Sequence, residues 1–196
     1  MTSPLVYIVR HGQTDWNAES RLQGQADTDI NALGRMQADR NGRRLAELID
    51  DPASFDFVAS PLRRTRETME RLRAAMGLPA EGYRTDPRLI ELHFGDWQGR
   101  TFAELEAELP GISEARHRDK WNYLPPGENA ETYEMLAARV RPWLESITVP
   151  TVCVTHGGIV RAIFRLADAL GPAEAADMNV PQDRILRLRD GALEWL

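Results

Sequence analysis

Short continuous apolar runs alternate along the chain with longer stretches of spaced apolar positions. Leu5–Val9 ("LVYIV"), Phe55–Ser60 ("FDFVAS") and Thr151–His156 ("TVCVTH") are β-branched or aromatic runs, which predicts buried strands. The stretches between them carry helical spacing and helix punctuation. Asn31 is a suitable N-cap for a helix to Asp50, with Leu33, Met36, Leu45, Leu48 and Ile49 as a patchy apolar face that Gly34 and Gly42 weaken. Pro61 precedes a helix over Arg63–Met76, closed by Gly77. Tyr83–Leu92 reads as extended, and "GDWQG" breaks it. Thr101 caps a short helix through Leu109, ended by Pro110-Gly111, and residues 112 to 128 are mixed. Asn129–Ile147 reads as a helix interrupted by Pro142. Gly157-Gly158 opens another helix to Leu170, and "RILRLRDGALEWL" ends the chain as a hairpin about Asp190-Gly191.

Strands alternating with helices predict a three-layer α/β/α sandwich with a mostly parallel sheet and an antiparallel edge. In such sheets ligands bind beyond the carboxyl ends of the strands. Three strands here run out into "VRHG", "SPLRR" and "VTHGG", so their ends deliver basic residues to one edge.

The bulk properties narrow the partners. The chain has 196 residues, 42% hydrophobic, with a net charge of −6, which argues against a general nucleic-acid surface. The single cysteine, Cys153, permits no internal disulfide and points to a reducing cytoplasm. "MTSPLVYIVR" does not read as a signal peptide, no apolar stretch is long enough for a membrane span, and no repeat is evident. The expectation is one domain over residues 1 to 196, monomeric or homodimeric.

The chemistry follows from His11, His156, Arg10 and Arg64. Two arginines and two histidines gathered where helices begin form an anion trap, and the guanidinium fork suits a tetrahedral phosphoryl group. A neutral histidine in that trap can attack phosphorus with one ring nitrogen while the other keeps its proton on an acceptor. The carbonyl of Gly12 is the nearest acceptor, if the chain can turn tightly, and the need for the backbone to fold back close to the ring offers a reason for a glycine there. The alkoxide leaving group needs a general acid, for which Glu91 in "LIELHFGDW" is the candidate. His156 and the arginines would stabilise the equatorial oxygens, so the expected partner is a small phosphorylated substrate and neither metal nor cofactor is required.

Each feature has a plainer role. Arg-His-Gly alone is a common tripeptide, a histidine at a strand end is usually structural, and Cys153 reads as core. Trp97, Trp121 and Tyr123 can be packing residues, although their Gly/Pro-rich surroundings suggest the wall of a cleft. His93 and His117 read as incidental. A zinc site on His11 and His156 has no supporting ligand spacing.

Taken together the motifs resemble the histidine phosphatase superfamily, the phosphoglycerate mutase-like proteins, over nearly the whole chain. "RHGQTDWN", "RLQGQADTDINALGRMQA", "SPLRRTRET", "LIELHFGDWQG", "PPGENAETYEMLAARV" and "VTHGGIVRAI" carry the likeness, with Asn129 where the family pattern has serine. The resemblance implies that His11 is phosphorylated and that Arg10, Arg64 and His156 form the phosphate pocket. It also implies that Glu91 donates the proton and that Asn17, Gln23, Gly24 and Gly157 touch the phosphoryl group or the substrate. Classical cofactor-dependent mutases carry a longer insertion and a C-terminal tail. The segment from 94 to 128, the expected lid, resembles the phosphatase branch instead. The phosphatase is therefore favoured over two alternatives: a cofactor-dependent phosphoglycerate mutase and a non-catalytic phospho-ligand binding module. The aromatic residues of the segment would suit an aromatic or apolar leaving group.

Overall fold

The computed structural model describes residues 4 to 196; Met1–Ser3, at the head of the stretch that does not read as a signal peptide, lie outside the described residues. Six strands form one sheet in the order β3-β2-β4-β1-β5-β6. β1 (Val6–Arg10), β2 (Asp56–Ala59), β3 (Arg84–Thr85) and β4 (Thr151–Thr155) are mutually parallel, and β5 (Ile185–Arg189) and β6 (Ala192–Trp195) add an antiparallel hairpin on β1. The expected mostly parallel sandwich with an antiparallel edge is what forms.

The period-2 alternation of the strands divides the core. Val6, Ile8, Val58, Cys153 and Leu186 face one side, under the helices α6 (Tyr133–Glu145), α7 (Gly157–Leu166) and α8 (Pro172–Asp177). Tyr7, Val9, Phe57, Val152 and Val154 face the other, under α2 (Ala32–Leu48) and α3 (Arg63–Ala75). β4 is buried along its whole length because both faces are covered, and burial pushes the Cys153 thiol up and keeps it inert core.

Several boundaries differ from the pattern-based expectation. Of Tyr83–Leu92 only two residues pair as strand, and Pro87–Leu89 turns as a 3-10 helix capped by Asp86. α6 begins at Tyr133, capped by Thr132, and runs unbroken through Pro142. The bond that the proline removes would have ended on Ala138, and both residues are exposed, so water can satisfy the carbonyl. α7 stops at Leu166, with α8 as a separate element. α1 (Asp15–Ala18) and α5 (Ile112–Arg118) are too short for periodicity to register. α4 (Phe102–Glu108) starts where expected, with a capping box between Thr101 and Glu104.

Trp97 and Trp121 do not line a cleft. Both are buried: Trp97 stacks on Tyr123 at 5.4 Å, and Trp121 stacks on Tyr133 at 5.5 Å while its indole N–H donates to Glu134. A Gly/Pro-rich setting around a tryptophan here marks irregular backbone wrapped about a packed ring. No helix among the described residues is long and apolar enough to cross a membrane.

Candidate active site

β1, β4 and β2 end side by side, and the ladder carries on one residue beyond them. The His11 N–H donates to the Thr155 carbonyl at 2.9 Å, and the Ser60 N–H donates to the Val154 carbonyl at 3.0 Å. His11, His156 and Ser60 therefore leave neighbouring strands at one level. The two imidazoles lie edge to face with centroids 5.2 Å apart, and both are buried.

His11 is oriented as the sequence suggests. Its Nδ1–H donates to the Gly12 carbonyl at 2.8 Å, which leaves the Nε2 lone pair free. Burial, then the charges of Arg64 and Arg10, hold the imidazole well below the usual histidine range. The reason for Gly12 differs from the one expected. A Cβ there would lie 2.3 Å from the carbonyl oxygen of Gly34, and one on Gly34 would lie 2.2 Å from the carbonyl oxygen of Gln13. The two glycines let the loop bearing His11 cross the first turn of α2 in backbone contact, which also accounts for the poor helix former Gly34 inside α2.

His156 is the N-cap residue of α7 and is fully buried. Its Nε2 lies 2.7 Å from Ser60 Oγ; when that hydroxyl donates, the proton sits on Nδ1, which has no partner among the described residues. Burial, then Arg64, His11 and Arg10, hold this imidazole low as well. Arg64 donates to the carbonyls of Ala26 and Gly24, each at 2.7 Å, and Arg10 donates to the Val180 carbonyl at 2.7 Å. Burial lowers both guanidinium groups to about 10. The Nε atoms of both arginines are buried without a partner among the described residues. Three buried polar atoms without a partner among the described residues, Arg10 Nε, Arg64 Nε and His156 Nδ1, thus belong to the side chains whose charge or ring acts on His11. Buried N–H groups without acceptors are costly, and an anion with several acceptor oxygens relieves all three at once.

Glu91 joins the cluster from the segment after β3. Its Oε1 accepts the Leu92 N–H at 2.9 Å and its Oε2 accepts the Gly158 N–H at 3.1 Å. A Cβ on Gly158 would lie 2.2 Å from Glu91 Oε1, so the second glycine of "HGG" makes room for the carboxylate. Gly157 lies between Arg10 Nε and Arg161 Nη1, which a Cβ on it would approach to 3.6 Å and 3.5 Å. Gln23 is buried, its Oε1 accepting from Thr28 at 2.8 Å, and Gly24 contributes its carbonyl to Arg64. Asn17 accepts the Thr14 N–H in the capping box of α1.

Four residues at the site are not singled out by the sequence, although three of them, Ser60, Arg139 and Arg161, lie within the quoted motif segments. Ser60 orients His156. Arg139 donates to the carbonyls of Arg88 and Ile90, both at 2.9 Å, while held by Glu131, and so fixes the segment bearing Glu91. Gln182 donates to the His11 carbonyl. Arg161 spends Nε and Nη2 on the Met178 carbonyl and turns Nη1 towards Tyr133 Oη, 3.4 Å away. Ser60 precedes "PLRR" and Arg161 follows "HGG" by one helical turn, so proximity to the motifs is the signal that could have found them.

The model of the histidine phosphatase superfamily (branch 1) matches residues 6 to 192. The chain is similar to a glucosyl-3-phosphoglycerate phosphatase of Mycobacterium tuberculosis, 36% identical over 176 residues, 83% of this chain and 74% of that protein. It is 30% identical over 191 residues to a metal-independent phosphoserine phosphatase of Arabidopsis thaliana, covering 94% of this chain and 76% of that protein. Among solved structures, a mycobacterial glucosyl-3-phosphoglycerate phosphatase in complex with VO3 superposes with a TM-score of 0.81 at 31% identity, covering 99% of this chain and 97% of that one. With this match, fold and motif order agree, and the chain belongs to the histidine phosphatase superfamily.

Proposed function

We propose that the chain hydrolyses small phosphate monoesters through a phosphohistidine on His11, without a metal. The observation that carries this reading is that Arg10 Nε, Arg64 Nε and His156 Nδ1 are buried without a partner among the described residues, on the side chains that act on a neutral His11 whose Nδ1 is already committed. The His11 Nε2 lone pair attacks phosphorus, the P–O ester bond breaks, and the departing oxygen takes a proton from Glu91. Glu91 then removes a proton from water, whose oxygen attacks phosphorus. The P–N bond breaks, releasing phosphate and neutral His11. The arginines and His156 hold the three equatorial oxygens throughout. The segment from 94 to 128 acts as the lid of this single domain.

The substrate carries a carboxylate as well as the phosphate. Arg161 and Arg116 have no carboxylate ion pair among the described residues, unlike Arg100 and Arg118 nearby. Arg161 Nη1 and Tyr133 Oη face the Gly157 side of the pocket, and Arg116 lies over the Phe102 ring, close enough to Arg161 for the charges to repel. A second anionic group beside the ester would relieve that repulsion. Glucosyl-3-phosphoglycerate and phosphoserine, named in the relatives, both bear a carboxylate.

A panel of phosphate monoesters tests both statements, scored for phosphate release and, with 3-phosphoglycerate, for isomerisation with and without 2,3-bisphosphoglycerate. Carboxylate-bearing esters should have the highest kcat/KM, with phosphate as product. Isomerisation outrunning release would make the enzyme a mutase. Binding without turnover of any ester, p-nitrophenyl phosphate included, would make it a binding module.

A further inference from the structure

Gln182 lies in the connection between α8 and β5, far along the chain from the motif residues, yet its amide reaches two of them. Nε2 donates to the His11 carbonyl at 3.1 Å and to Asn17 Oδ1 at 3.0 Å. The backbone of Gln182 is held in turn by Asn41, a buried residue in the middle of α2, whose Nδ2 donates to the Gln182 carbonyl at 3.1 Å. The reaction as written uses neither Asn41 nor Gln182.

Side-chain amides can face either way, and here two main-chain groups of fixed polarity decide both. The His11 carbonyl can only accept, so Gln182 must turn its NH2 towards it. The Thr14 N–H can only donate, and at 3.2 Å it requires an oxygen on Asn17. The two demands agree: the Gln182 NH2 and the Thr14 N–H both point at Asn17 Oδ1. With that oxygen occupied twice, Asn17 has only its NH2 to offer elsewhere. Flipping Asn17 would set its NH2 against two donors.

We propose that Gln182 is a positioning residue: it locks the Asn17 amide so that Nδ2–H faces the transferred phosphoryl group, and it pins the carbonyl of the nucleophile His11. This rests on the reading of His11 as nucleophile. That reading is tested separately by His11→Ala, so the failure of one is distinguishable from the failure of the other.

The test is a double-mutant cycle with p-nitrophenyl phosphate. Gln182→Glu is near-isosteric and replaces the donor with a carboxylate facing two acceptors; Gln182→Ala removes the group. Each should lower kcat/KM by about tenfold, the worth of a partly buried hydrogen bond whose loss frees the Asn17 amide. In an Asn17→Ala background the same substitutions should cost less than about threefold, because the amide they orient is gone. Equilibrium denaturation of each variant ensures that the loss is read on folded protein, and if Gln182→Ala fails to fold the cycle is run with Gln182→Glu. A multiplicative effect, equal in both backgrounds, would overturn the link to Asn17 and leave Gln182 as scaffolding. An unchanged kcat/KM in Gln182→Glu would overturn the proposal altogether.

Discussion

The phosphate pocket and the segment from 94 to 128 are built on different principles. Pocket residues are delivered by a registered ladder: Arg10 stands opposite Thr155 and Ala59 opposite Val154, and the next residues, His11 and Ser60, make the ladder's last bonds. The segment has two seven-residue helices and a single isolated bridge, Arg21 to Thr101. Exposed ion pairs such as Arg118–Glu114 hold its rim, and the Trp97–Tyr123 stack holds its centre. Exposed pairs contribute little, so its stability rests on a few aromatic contacts. The half that does chemistry is fixed by main-chain bonds, and the half that would choose the substrate is fixed by side-chain packing. Changes in the two should therefore differ in kind.

The largest effect belongs to His11, the proposed nucleophile. His11→Ala should lower kcat by about 10⁴-fold or more and abolish covalent labelling by phosphate donors, with unfolding still cooperative. Ordinary turnover in this variant would remove His11 from the reaction. Glu91→Gln comes next. It should slow alkyl phosphates by about 10³-fold and aryl phosphates far less, because a phenolate leaves with little help from an acid. The glutamine also keeps only one oxygen for the two N–H groups of Leu92 and Gly158, so some loss on both substrate types is expected. Equal slowing of alkyl and aryl esters would mean that the carboxyl acts by anchoring rather than by donating a proton.

Trp97→Ala probes the other region. Trp97 is 1% exposed and packs on Tyr123 and Phe102, and truncating such a side chain costs about 3 kcal/mol or more. Chemical denaturation should register that loss, while kcat on p-nitrophenyl phosphate changes far less than in either pocket variant. A collapse of kcat matching that of His11→Ala would show that the segment holds the catalytic groups in place, and the contrast between the two regions would fail.

The same contrast explains what the sequence made legible. Strand ends and motif residues could be read because short continuous apolar runs end visibly, as "VYIV" does at Arg10 and "TVCVT" at His156. The role of the Gly12 carbonyl followed from the chemistry of a neutral imidazole, and the ring is held as expected. Gly12 itself was explained wrongly, because its contact is with Gly34 on another element, and a single chain reveals no such pairing. Ser60, Arg139 and Gln182 share that difficulty: each acts through a hydrogen bond between segments far apart in sequence. Trp97 and Trp121 misled for another reason. Irregular backbone around an aromatic ring looks alike whether the ring faces solvent or core. α1 and α5 are each two turns or shorter, below the length at which a helical period can be told from chance.

The smallest effect is a pH dependence of stability that belongs to the pocket alone. Both His11 and His156 are buried neutral, with burial the first cause and Arg64 the next, and both lie well below 6.5, the ordinary histidine value. In the unfolded chain each imidazole takes up a proton near that pH. Below it the unfolded state binds more protons than the folded one, so stability falls as pH falls, and the contribution is fully present above pH 6.5. The slope is at most about 1.4 kcal/mol per pH unit for each histidine. Urea denaturation at about pH 7.5 and pH 5.5 spans the histidine transition while staying above most carboxylate titrations. The wild type should lose stability over that interval, and the double variant His11→Gln/His156→Gln should lose much less. Trp97→Ala should be displaced downwards by the same amount at both pH values, since its packing involves no proton. A wild-type stability that is flat between these pH values would mean that the pocket admits protons to its histidines in the folded state, and the picture of a dry pocket fixed by its strand ladder would have to be abandoned.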